Sequence, residues 1–129
     1  MNDAQILTLV DRFERCLLAK SEFHHRDHLA VAVAYLYASD FANAMDRMRH
    51  SLQRFAAHHG VSGLYHETIT HFWLQQAEQR LDRSLCLSAS VLKVQDELDD
   101  KGLVSRCYSK QVLDSAAARE GWVDPELKP

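Results

Sequence analysis

The sequence is short of chain breakers. It has two prolines, Pro125 and Pro129, and four glycines, Gly60, Gly63, Gly102 and Gly121, in 129 residues. That is too few for the frequent turns that strands require, so helices are expected. Cysteine is scarce as well. Cys16, Cys86 and Cys107 are odd in number and form no C-x-x-C pair, which argues against a disulfide framework and for a reduced, cytoplasmic chain. No apolar run approaches the ~20 residues needed to cross a bilayer. No basic amphipathic helix with exposed aromatics points to a membrane surface. The opening MNDAQILTLVDRFERC carries acids where a signal peptide would carry bases. No charge of one sign dominates either: the net charge is −3, and no basic stripe exists to attract nucleic acid.

What is present is an ordinary globular composition, 47% hydrophobic and 26% charged, in a length that suits one domain spanning residues 1–129. The expected architecture is all-α: four main helices in a bundle, one or two smaller C-terminal helices and an irregular tail. Ile6, Val10, Phe13 and Leu17 give a stripe to a first helix over 2–18. A second helix runs from Phe23 or His24 to Ala38, with Ser21 a candidate cap. A third follows Asp40, carries Phe41, Met45, Met48, Leu52 and Phe55 on one face, and stops at Gly60. A fourth covers 65–81. Ser84 or Ser88 can cap a fifth, and Ser109 a sixth that reaches Arg119. Trp122 is expected to pack the tail against the body.

Two stretches break the apolar pattern with polar residues. In YHETIT, residues 65–70, a helical wheel puts His66 near the centre of the arc formed by Ile69, Trp73, Leu74, Ala77 and Leu81. Thr70 falls inside that arc, Glu67 on its edge and His71 outside it. In FHHRDHL, residues 23–29, His25 and His28 share the face of Ala32, Val33 and Leu36, one turn apart, while Ala30 and Ala34 point elsewhere. Thr68 and His71 are expected at the surface.

Burying three imidazoles and a carboxylate is unfavourable unless they partner one another or share a ligand. A divalent transition metal (zinc, iron, nickel or manganese) held by His25, His28, His66 and Glu67 would satisfy them and leave an open position for chemistry. Glu67 would then be ligand or general base, and Tyr35, Thr70 and Trp73 would line the substrate space. A zincin helix is not expected, because position 70 is threonine where H-E-x-x-H needs histidine. A two-iron carboxylate bundle needs more glutamates than Glu67 alone.

The motifs F-x-H-x-x-H-L (Phe23, His25, His28, Leu29) and Y-H-E-T-I-T, with a tryptophan soon after and the ending A-R-E-G-W-V-D-P-E-L-K-P, resemble a family of small bacterial proteins of unknown function. The resemblance runs over nearly the whole chain. It implies a bacterial source and an all-helical fold, and it brings no reaction, cofactor or substrate.

Three functions follow as expectations. One is a metal-dependent enzyme acting on a small molecule. The second is a metal-free small-molecule-binding or interaction module, whose histidines form a buried hydrogen-bond network. The third is a structural domain that pairs as a homodimer.

Overall fold

In the stretch LAVAVAYL, residues 29–36, apolar side chains point to every side, and a helix without a polar face must be surrounded. The computed structural model describes residues 1–128 and obeys this demand; Pro129, the end of the expected tail, lies outside the described residues. In chain order the α-helices are α1 (Asp3–Glu14), α2 (His25–Ala38), α3 (Phe41–His58), α4 (Glu67–Arg80), α5 (Leu87–Glu97), α6 (Leu103–Cys107), α7 (Lys110–Leu113) and α8 (Ala116–Glu120), with 3-10 turns at Lys20–Glu22 and Ser62–Leu64. The described residues contain no strand.

Helix α2 is the axis of the molecule. Every residue from Leu29 to Leu36 is buried, Ala30 and Ala34 included, so the two-faced wheel drawn for it is too narrow. Helix α5 covers it most extensively, and α4, α1 and α3 close the remaining sides. Four main helices therefore undercount the body. A fifth is needed because a helix that is apolar all round takes more neighbours than an amphipathic one.

Several boundaries shift for local reasons. Helix α2 starts at His25, where the His24 backbone N–H donates to the Asp27 carboxylate at 3.0 Å; Ser21 lies in the preceding 3-10 turn. Helix α5 begins after Cys86, not after Ser84 or Ser88. Ser109 does cap a helix, but Ser115 caps another. The single helix expected up to Arg119 is thereby split into α7 and α8. From Trp122 to Lys128 the described residues have no regular structure and are strapped down: Tyr108 donates to the Val123 carbonyl at 2.6 Å, and the Leu127 N–H to the Cys107 carbonyl at 3.0 Å.

Helix α1 stops at Glu14, four residues short of its expected end, because Cys16 turns left-handed at φ 57. The Leu17 N–H then reaches back to the Arg12 carbonyl at 2.8 Å, which closes the helix as a left-handed cap does. Leu17 is thrown outward to 52% exposure while Leu18 is buried. Helix α3 ends the same way, with Gly60 at φ 71 in that position. A cysteine is a costly choice for a left-handed residue. Cys16→Gly is expected to raise the unfolding free energy by about 0.5–1 kcal/mol in urea titration, where the same change in mid-helix would lower it.

Candidate functional site

The YHETIT residues occupy the start of α4, and each is engaged with a different neighbour. His66 is the N-cap, not a helical residue (φ −140, ψ 112). Its Nδ1 accepts the Ile69 N–H at 3.1 Å, which puts the ring proton on Nε2, and Nε2 donates to the Leu113 carbonyl at 2.7 Å. A histidine only 7% exposed is thus satisfied at both nitrogens, and it ties α4 to α7. The Thr70 hydroxyl donates back to the His66 carbonyl at 2.8 Å.

Glu67 turns toward α3. Arg49 grips its carboxylate through Nε at 2.9 Å and Nη2 at 2.7 Å, and the Tyr65 hydroxyl donates to it at 2.6 Å. The Arg49 hydrogen bonds hold the Glu67 carboxyl below the ordinary range, with Tyr65 acting in the same direction against desolvation. Burial and the hydrogen bond to Glu67 push the Tyr65 phenol up. Glu67 is therefore an ionised salt-bridge member with its strongest acceptor sites taken, a poor general base.

Thr68, expected at the surface, is 0% exposed. Its hydroxyl donates to the Gly121 carbonyl at 2.7 Å and accepts the Val123 N–H at 3.1 Å, which pins the tail to α4. His71, also expected at the surface, is half-buried. Trp122 covers its ring with centroids 3.8 Å apart, and Phe41 meets it edge-on at 5.2 Å. Its Nδ1 is buried without a partner, and desolvation lowers its pKa.

The remaining site candidates go elsewhere. His25 Nε2 donates to the Leu98 carbonyl at 2.8 Å, and the ring stands edge-on to Trp73 at 4.6 Å. Trp73 is core, between His25 and Phe72. His28 lies against Phe23, and burial, helped by the neighbouring His25, pushes its pKa down to about 4. Tyr35, fully buried, donates to Glu14 at 2.6 Å and accepts from Ser51 at 3.0 Å, while the Arg47 guanidinium lies over its ring and binds Glu14 at 2.7 Å. Desolvation works against the Glu14 charge, but the hydrogen bonds from Arg47 and Tyr35 outweigh it and keep its carboxyl below the ordinary value.

The proposed ligand set of His25, His28, His66 and Glu67 is therefore not assembled. Among the described residues no three histidine, cysteine, aspartate or glutamate side chains are placed to hold one ion. His66 has no lone pair to offer, since one nitrogen accepts a backbone proton and the other carries its own. Glu67 is committed to Arg49. These donors do not fit a metal as they stand.

Two concavities flank Tyr65. The larger, about 960 Å³, is a wide groove bounded by Arg49, Glu67, Arg119 and Glu120. Its charges are largely turned on the protein itself: Arg49 on Glu67 and Asp46, Arg119 on the Gly63 and Tyr65 carbonyls. The smaller, about 250 Å³, lies between α3, the 61–65 turn and α4. Six of its wall residues are apolar: Leu52, Phe55, Ala56, Val61, Leu64 and Ile69. The polar ones are Lys20, Tyr65, His66 and Thr70. This second pocket has the apolar walls and few polar groups of a ligand site.

Of the residues singled out from the sequence, His66 and Thr70 reach this pocket. Leu52 and Phe55 of the α3 stripe line it as well. Lys20 and Leu64 have no role in the sequence reading, and Tyr65 enters it only as the first residue of YHETIT; Leu64, apolar and 68% exposed, marks the rim. No family model, curated protein or solved structure matches the chain.

Proposed function

We propose that the chain is a small-molecule-binding module whose ligand occupies the apolar pocket between α3, the 61–65 turn and α4. One observation carries this reading. Most of the pocket wall is apolar, and the polar side chains of Tyr65, His66 and Thr70 are already hydrogen-bonded within the protein, so an apolar guest strands none of them. The polar residues of YHETIT serve the site by holding its walls: His66 joins α4 to α7, and Glu67 joins it to α3 through Arg49.

The size sets the ligand. At about 250 Å³ the pocket falls below the roughly 300 Å³ lower edge of ordinary ligand sites. An apolar cavity of ~150 Å³ takes a benzene molecule. The guest is therefore one substituted ring or a short chain.

Calorimetry and thermal unfolding with toluene and 1-octanol test the reading. Saturable binding is expected, with a stabilisation near 2.7 kcal/mol at about 100 times Kd. Ala56→Trp, which fills the pocket, is expected to abolish it. Ala57→Trp, exposed on the next position of α3, is expected to leave it intact. Failure of both probes to bind, or binding that survives Ala56→Trp, would overturn the proposal.

A further inference from the structure

The pocket's hydrogen-bond donors define the head group of its guest. Three of the four polar side chains on its wall have no free donor. The Tyr65 hydroxyl is given to Glu67, the Thr70 hydroxyl to the His66 carbonyl, and the His66 Nε2–H to the Leu113 carbonyl. Only the Lys20 ammonium is uncommitted, and Lys20 is the one charged residue in the lining. No acidic side chain lines the pocket, and Lys20 takes part in no ion pair among the described residues. The nearest acid in sequence, Glu22, accepts the Ala19 N–H at 2.7 Å in the same turn.

An apolar cleft with a single unpaired cation at its mouth complements a guest with an apolar body and one negative charge. An alkylamine would meet Lys20 as a like charge. A neutral alcohol could accept one hydrogen bond from the ammonium but would leave its charge unmatched. A phosphate dianion would bring more charge and more acceptors than one lysine can answer.

We infer that this pocket selects a small monocarboxylate, a short alkanoate or an aryl acid, with its hydrocarbon between Phe55 and Ile69 and its carboxylate on Lys20. The inference rests on the pocket reading above and adds the head group to it. Lys20 is exposed, so the charge contribution is modest, salt-dependent and about fivefold in affinity.

The test compares octanoate, 1-octanol and octylamine by calorimetry at low ionic strength. These share one chain and differ in head group. Octanoate is expected to bind about fivefold more tightly than octanol, and octylamine least. Lys20→Met should erase the preference for octanoate, Lys20→Arg should keep it, and Lys20→Glu should turn it toward octylamine. Lys20 belongs to an exposed 3-10 turn and makes no side-chain hydrogen bond that folding needs, so these variants are readable. If all three probes bind equally, and Ala56→Trp blocks them, the carboxylate inference is overturned while the pocket stands. If none binds, or Ala56→Trp changes nothing, the pocket reading falls and the inference with it.

Discussion

Replacing His66 by alanine is expected to lower Tm by roughly 10 °C. Three losses add up. The cap on Ile69 N–H disappears, at about 1 kcal/mol. The Leu113 carbonyl loses the partner that met it at 2.7 Å, and leaving such an acceptor unmet costs about 1–3 kcal/mol. The removed ring also leaves space at a position only 7% exposed. A total near 3 kcal/mol corresponds to that shift in a domain of this size. His66→Asn separates the parts. Its side-chain oxygen can accept the Ile69 N–H, yet it is too short to reach Leu113. It should recover about 1 kcal/mol and no more. Equal losses in the two variants would show that the cap contributes nothing, and a loss below ~1 kcal/mol for alanine would refute the double engagement of the ring.

His66 also shows where reading the sequence succeeds and where it stops. The helical wheel placed it inward, and it is buried, but the wheel assumed a helical backbone that His66 does not have. Its orientation is set by the cap and by a carbonyl 47 positions away. The all-helical class was legible because breakers are rare and the stripes of α1 and α3 are regular. The buried centre at α2 was legible only in part, since a helix apolar on every side gives no face to read.

The polar residues were identifiable as unusual, but not by partner. Glu67 was matched with histidines because they were the polar groups in view. Its partner Arg49 lies on another helix, in a position that reads as plain solvent face. Thr68 looked exposed because the tail that covers it is 53 residues distant. The metal expectation came from the same source: four buried polar side chains do need partners, and here arginine, backbone carbonyls and backbone N–H groups supply them for His25, His66 and Glu67. His28 is the member left without such a partner, and its consequence is felt in pH.

Stability is expected to fall as pH drops from about 6.5 toward 4, and His28 is expected to carry much of that loss. In the unfolded chain its imidazole has the ordinary value of 6.5, whereas burial and the like charge of His25 push it down to about 4 in the fold. Above 6.5 both states hold the ring neutral, and the group contributes no pH slope. Between the two values the unfolded chain takes up a proton that the folded chain refuses, so unfolding gains with every step of acidification. Below about 4 both states are protonated and the slope from this group ends. The full interval corresponds to about 3 kcal/mol, and nearer 2 because the ring is half-buried and keeps some contact with solvent. His28→Gln cannot titrate. Its unfolding free energy, measured in urea at steps from pH 7.5 to 4, should lose about 2 kcal/mol less than the parent over the interval. Other groups are separable. His71, also lowered by desolvation, acts from the same upper limit, and His71→Gln should flatten the profile independently. Glu14 and Glu67, both held below 4.5, favour the fold while ionised and lose that contribution only as pH falls through their own lower range. Parallel pH profiles for the parent and His28→Gln would mean that the His28 ring is open to protons in the native state and that its contact with Phe23 does not exclude water.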